Sequence, residues 1–303
     1  MINFCIIIYG ATASGKSDFS MSLAEDINGV IINGDSAQVY KEFPILSNIP
    51  KEQDMLKIPH KLFSIKSIVN DFSVKNWIDL IVEQINVCYN QNKIPIIVGG
   101  TGMYIKSLLE GISDIPSSPD CKKIAQQTFD NMGYNEFLTY MISINPQYVD
   151  KFKDSQRLIR MYEVWLLTGK SILDFQNNLV KPINTNFKKF FLHKDRSELY
   201  NDINKRFIKM LDSGAIQEVE RFTINNSQYL HKLSKILGAS ELNLYINKKI
   251  SYEDLITQAQ TKSRHYAKRQ LTWFNSMFSQ TFQVLQSNDF KENLNYVKNS
   301  FNF

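Results

Sequence analysis

Phe4-Cys-Ile-Ile-Ile-Tyr9 runs directly into Gly10-Ala11-Thr12-Ala13-Ser14-Gly15-Lys16-Ser17, and a helical pattern through Phe19, Leu23 and Ala24 follows. A short apolar run of this kind is the mark of a strand buried on both faces. A G-x4-G-K-S turn between such a strand and a helix aims backbone N–H groups and the positive helix end at phosphate oxygens. Lys16 adds a charge there, and Ser17 a hydroxyl able to ligate Mg²⁺. Two more apolar runs, Val30–Ile32 and Ile94–Val98, end at Asn33-Gly34-Asp35 and Gly99-Gly100-Thr101. Trp77, Leu80, Ile81 and Ile85 lie between them at helical spacing. Strand, loop, helix, strand predicts right-handed βαβ units and a doubly wound parallel sheet. Ligands of such sheets sit beyond the carboxyl ends of the strands, where the glycine loop, Asp35 and Thr101 all fall.

The pattern changes after Ile112. Pro116-Ser-Ser-Pro119 reads as a linker, and the chain to about Phe175 as helices, with Leu158, Tyr162, Trp165 and Leu166 on one face. The expected organisation is an α/β, P-loop NTPase-like core of residues 1–116 and 187–303, with helices on both faces of a parallel sheet. An inserted all-helical domain is expected at 117–186. Phe187–Leu192 and Thr281–Leu285 read as further strands, Leu199–Leu211, Gln217–Phe222 and Leu255–Phe274 as helices, and an Asn- and Lys-rich tail closes the chain.

At 303 residues and 43% hydrophobic, the chain has enough apolar material for a sizeable core, which excludes a mainly disordered protein. No run approaches the roughly 18 apolar residues of a membrane span, and the start lacks a basic leader and a cleavage site. Cys5, Cys88 and Cys121 stand at spacings unlike a metal site and point to a reducing, cytoplasmic setting. The net charge is +5, and Lys262, Arg264, Lys268 and Arg269 fall in a stretch from Leu255 to Asn288 without Asp or Glu. A basic helix interleaved with Tyr266 and Trp273 suits a phosphate backbone, or packs its aromatics into the core.

The glycine loop does not name a substrate. ATPases and many kinases need an apolar strand ending in an acid to hold Mg²⁺, whereas the third strand here ends in Gly99-Gly-Thr101-Gly102. A P-loop kinase of a small metabolite is the alternative reading. Asp35, nineteen residues after Lys16, reads as a Mg²⁺ partner, a general base or a helix N-cap.

Taken together, several strings carry a resemblance: Gly10 to Ser17, Asp35-Ser-Ala-Gln38-Val-Tyr40, Pro59-His60, Val98-Gly-Gly-Thr101-Gly-Met-Tyr104, Leu109-Glu-Gly111, Arg157-Leu-Ile-Arg160 and Arg264-His-Tyr-Ala-Lys-Arg269-Gln-Leu-Thr-Trp273-Phe. In that order they resemble the tRNA dimethylallyltransferase family, also called tRNA isopentenylpyrophosphate transferases, over about nine-tenths of the chain. The resemblance implies Mg²⁺-dependent transfer of a dimethylallyl group from its diphosphate to N6 of the adenine 3′ of the anticodon. It implies Asp35 as the base, Thr101 at the reacting centre, and Arg206 with Gly10 to Ser17 on the diphosphate. It further implies tRNA contacts at Asp35, Ser36, Ala37, Gln38 and Thr101, at Lys123 (beside Lys122), and at Gln156, Arg157, Leu158, Ile159 and Arg160. The expected partners are the anticodon stem-loop and dimethylallyl diphosphate, with no membrane, and the expected state is a monomer. By residue type alone, Arg206 and the Arg157–Arg160 pair are ordinary solvated helix faces. Two strings depart from the family: Gly238-Ala-Ser-Glu241 lacks an aromatic and a cation, and Leu46-Ser-Asn-Ile-Pro50 lacks a Lys.

Overall fold

In the computed structural model, which describes residues 3–144, 154–176 and 179–300, β1 (Phe4–Tyr9) lies inside a parallel sheet. Alternate side chains of a strand face opposite ways. Cys5, Ile7 and Tyr9 accordingly pack with Trp77, Ile81 and Phe274, while Ile6 and Ile8 pack with Phe19, Leu23 and Val297. The chain continues through α1 (Lys16–Asp26), β2 (Gly29–Asn33), α2 (Glu52–Lys57), β3 (His60–Lys61), α3 (Val74–Asn90), β4 (Ile94–Gly99) and α4 (Gly102–Glu110). Beyond an inserted unit come β7 (Asn186–His193), α8 (Arg196–Asp212), α9 (Ala215–Asn225) and a 3-10 segment (Ser227–Lys235). Then follow α10 (Ala239–Ile246), α11 (Tyr252–Met277), β8 (Gln283–Gln286) and α12 (Phe290–Asn299). The sheet order is β3-β2-β4-β1-β7-β8, every pairing parallel. A separate helical cluster around Phe43, Phe207, Val219 and Leu242 belongs to the same unit.

The tail read from composition as Asn- and Lys-rich is helix α12. Its Phe290 meets Phe19 edge-on at 5.7 Å and its Val297 is fully buried on the α1 face. Three apolar residues on one helical face, Phe290, Leu294 and Val297, seat it, and composition averages them away.

The inserted unit spans Glu110–Pro182; the other unit is Met1–Leu109 with Ile183–Phe303. Within the insert, β5 (Ile112–Ser113) precedes α5 (Pro119–Ile144), α6 (Ser155–Thr168) and α7 (Ile172–Gln176), and β6 (Leu179–Val180) closes it. The boundaries therefore differ from the expected 117–186, and the insert is not all-helical. Pairing is the reason: Ile112 lies opposite Val180 and Ser113 opposite Leu179 in an antiparallel ribbon. Gly111, at φ 100°, permits this approach, since a Cβ there would come within 2.5 Å of the Val180 carbonyl oxygen. After Pro182, Ile183 packs on the sheet core and Thr185 donates to the Asn3 carbonyl. Phe137, Leu158, Tyr162 and Val164 form the insert's own core.

Candidate active site

The glycine loop turns because two of its residues are left-handed, Ala13 at φ 64° and Gly15 at φ 88°. Gly10 has no room for a side chain: a Cβ would lie 2.6 Å from the Ser14 hydroxyl and 3.1 Å from the Leu192 carbonyl oxygen. Helix α1 starts at Lys16 with Gly15 as its N-cap and no side-chain cap, which leaves first-turn amides to a ligand. Among the described residues, Ser14 Oγ and Ser20 Oγ are the buried side-chain polar atoms without a hydrogen-bond partner. The Lys16 amine donates to the Ala11 carbonyl at 3.1 Å. Burial pushes Lys16 down to about 8, opposed by the negative charge of Asp35 and aided by the positive charge of Arg206. Burial lowers Arg206, on α8, as well, again against Asp35. Loop, Lys16, Arg206 and Asp35 thus share one electrostatic neighbourhood.

Asp35 and Thr101 are brought together by glycine. Gly34 donates to the Val98 carbonyl at 2.8 Å, and a Cβ on Gly99 would sit 2.1 Å from the Gly34 oxygen. The ends of β2 and β4 can touch only because neither residue has a side chain. Across that contact the Ser36 amide donates to Thr101 Oγ1 at 2.9 Å, and Thr101 Oγ1 donates to Ser36 Oγ at 3.2 Å. One Asp35 oxygen accepts from the Ala37 amide at 2.9 Å, an Asx turn that fixes the carboxylate. The cavity beside it, about 610 Å³, is lined by Lys16, Ser17, Asp35, Gln38, Lys51 and Arg206 among others.

Gln38, an expected tRNA contact, is partly committed within the protein. Both of its N–H donors are engaged, on the Ser47 and Asn48 carbonyls at 3.0 and 2.8 Å. Gln38 holds the departing segment Leu46–Pro50 beside the cavity that it lines, and its carbonyl oxygen remains as an acceptor. The basic stretch on α11 is also largely committed. Lys262 pairs with buried Glu241 of the departing Gly238-Ala-Ser-Glu string. Arg264 donates to Asn204 Oδ1 and Thr261 Oγ1 at 2.7 and 2.8 Å, and the Arg269 guanidinium stacks 5.6 Å from the Tyr266 ring centre. Lys268 stays exposed, and Trp273 packs its ring over Gly102. The acid that answers Lys262 lies 21 residues upstream, outside the stretch whose charge was counted.

The remaining predicted contacts lie in the inserted unit. Lys123 on α5 and Gln156 and Arg157 on α6 are exposed. Arg157 pairs with Asp154 at 3.2 Å. Leu158 is fully buried in the insert core, so its side chain packs and offers nothing to an RNA; Ile159 is half-buried. Arg160 donates to the Ile115 and Pro116 carbonyls at 3.2 and 3.0 Å and pairs with buried Glu163 at 2.5 Å. Its guanidinium secures the entry segment of the insert.

Three residues near the site were given no place beside Asp35 and Thr101 by the sequence, although Tyr266 was noted on the basic helix. Asn33, fully buried at the end of β2, accepts from the Asp35 amide (2.8 Å) and donates to the Asp35 and Leu62 carbonyls (3.0 and 3.1 Å). Tyr266 reaches the Thr101 hydroxyl, and burial, with the Asp35 charge, holds its phenol well above the usual range. Gln270 is buried between the glycine loop and the end of β4. The available signal was polar residues on otherwise apolar, core-facing positions, where they must have partners.

A family model described as IPP transferase matches residues 38–277. The tRNA dimethylallyltransferase of Ehrlichia ruminantium (strain Welgevonden) is 42% identical over 282 residues, covering 91% of this chain and 93% of that protein. That of Ehrlichia chaffeensis (strain ATCC CRL-10679 / Arkansas) is 39% identical and covers 99% of each. Among solved structures, a tRNA delta(2)-isopentenylpyrophosphate transferase from Staphylococcus epidermidis superposes with a TM-score of 0.72 at 29% identity, covering 99% of both chains. A eukaryotic dimethylallyltransferase solved while acting on tRNA gives 0.78 at 25% identity, covering 94% of this chain and 74% of that one. The chain belongs to the IPP transferase family, the family of the tRNA dimethylallyltransferases.

Proposed function

We propose that this protein transfers a dimethylallyl group from dimethylallyl diphosphate to N6 of the adenine 3′-adjacent to the anticodon in tRNA, releasing diphosphate. One observation carries the reading: the glycine loop's Lys16 and Ser17 line one cavity with Asp35 and Arg206, and the Ser36 amide ties Thr101 beside Asp35, in a chain whose relatives are tRNA dimethylallyltransferases. The C–O bond to the diphosphate breaks, the N6–C bond forms, and the amine proton goes to Asp35. An exocyclic adenine amine is a poor nucleophile, and a placed carboxylate contributes a factor of about 10²–10⁴. Charge developing on the leaving diphosphate meets the loop amides, Lys16 and Arg206. The orphaned, buried Ser14 hydroxyl is the kind of group that a bound oxyanion satisfies.

Mg²⁺ fits this donor set in one way. Among the described residues no group of three or more His, Cys, Asp and Glu is placed to hold a metal. Ser17 Oγ and the diphosphate oxygens would hold the ion, as suits a hard cation that takes few protein ligands, and it would neutralise leaving-group charge. The adenine must leave the stack of the anticodon loop to reach Asp35, with Ser36 and the Gln38 oxygen available to its edge. Exposed Lys123, Gln156 and Arg157 are the proposed contacts to the anticodon stem-loop. On this reading the protein works on tRNA as a monomer in the cytoplasm. A small-metabolite kinase gains no support from the relatives or from β4, whose end carries Thr101 in place of an acid. Incubation with labelled dimethylallyl diphosphate, Mg²⁺ and bulk tRNA should put label on adenosine; absence of a labelled nucleoside at every salt concentration would overturn the proposal.

A further inference from the structure

Gln270 sits two-thirds along α11, where its neighbours on the inward stripe, Ala267 and Phe274, are apolar and buried. A buried amide at such a position is costly unless both its ends are paired. Both are. Its Oε1 accepts from the Thr12 amide of the glycine loop at 2.9 Å, and its Nε2 donates to the Gly100 carbonyl at 2.8 Å. The assignment of oxygen and nitrogen is forced, since an amide N–H must donate and a carbonyl must accept. The seat is tight as well: a Cβ on Gly100 would lie 2.2 Å from Gln270 Nε2 and 2.8 Å from the Gly10 oxygen. Besides this amide, the described link between the two loops is the long Gly10-to-Gly99 hydrogen bond at 3.4 Å. One loop carries the diphosphate cradle and the other carries Thr101. Tyr266, one turn before Gln270 on the same helix, reaches the Thr101 hydroxyl.

We propose that Gln270 is a positioning residue for the transfer, a clamp that sets the spacing between the glycine loop and Thr101. Glutamine is suited to it because one side-chain end offers a donor and an acceptor together. Glutamate at neutral pH offers acceptors alone, and methionine fills the space with neither. Displacement of the cradle from the reacting centre by a fraction of an ångström lowers the rate of bond exchange more than the affinity for either substrate.

The inference rests on the transfer reading above, and its test separates the two. Single-turnover transfer at saturating substrates, and separate dissociation constants for tRNA and dimethylallyl diphosphate, are measured for wild type, Gln270→Met and Gln270→Glu. For Gln270→Met the rate is expected to fall at least about 10-fold, with diphosphate affinity weakened about 5-fold and tRNA affinity within about 2-fold. Gln270→Glu keeps an acceptor for Thr12 but turns a carboxylate on the Gly100 oxygen, so the rate is not recovered. A Gln270→Met rate within about 3-fold of wild type, or parallel collapse of the rate and both affinities, would overturn the clamp. If Gln270→Met fails to fold, Gln270→Glu decides by the same comparison. If the wild type itself labels no adenosine, the transfer reading fails, and wild-type diphosphate affinity in Gln270→Met would then overturn the clamp separately.

Discussion

Lys16 should make diphosphate affinity depend on pH in a range where an ordinary lysine is inert. Burial lowers its pKa from 10.5 to about 8, so in the free protein it is charged at pH 7 and mostly neutral at pH 9. One unit above the pKa, about one molecule in eleven retains the proton, whereas a lysine at its ordinary value stays more than about 90% charged. Binding a diphosphate needs that charge, so the ammonium form is the competent one and affinity falls as pH rises through 8. The dissociation constant for dimethylallyl diphosphate should therefore rise roughly tenfold between pH 7 and pH 9, read by calorimetry or by displacement of a fluorescent analogue. Lys16→Arg carries a permanent charge and should lose this slope, and it also reports any titration of the ligand itself. Asp35→Asn removes a negative neighbour and should move the midpoint lower, because Asp35 favours the charged lysine. A flat wild-type profile to pH 9.5, or the same slope in Lys16→Arg, would refute this electrostatic account of the cradle.

Asn33→Ala removes three hydrogen bonds at a fully buried position and frees the backbone of Asp35. It should cost about 3 kcal/mol in urea unfolding and slow transfer at least about tenfold, with tRNA affinity little changed. In the inserted unit, Arg160→Ala leaves Glu163 buried without its cation, with the Ser117 hydroxyl as its remaining partner, and should destabilise by about 2 kcal/mol in unfolding followed by Trp165 fluorescence. Arg157→Ala, whose partner Asp154 is exposed, should change stability by less than about 1 kcal/mol while weakening tRNA binding and flattening its salt dependence. Lys262→Ala should lower thermal stability before it lowers tRNA affinity, because Lys262 answers the buried Glu241.

The sheet was legible because its signals are local. Fully buried strands announce themselves as apolar runs, and Gly10 to Ser17 fixes both the turn and the helix that follows. Asp35 and Thr101 could be placed at strand ends for the same reason. What could not be read is what depends on contacts between distant positions. The β5–β6 ribbon comprises two residues on each side, separated by the whole insert, and carries no periodicity. Lys262 looked like an unanswered cation because Glu241 lies outside its window. Arg160 looked like half of an RNA-facing pair because its three partners, Ile115, Pro116 and Glu163, are identified only once the insert folds. Gln270 stood inside a recognised string, yet its role follows from a helix placing it between two loops more than 160 residues away in sequence.

The most direct test of the central claim is single-turnover transfer by Asp35→Ala alongside its tRNA dissociation constant. With Asp35 as the base, transfer should slow at least about 100-fold while tRNA affinity stays within about 3-fold of wild type. A matching collapse of tRNA binding would make Asp35 an RNA contact or a structural turn residue, and an undiminished rate would remove it from the chemistry altogether.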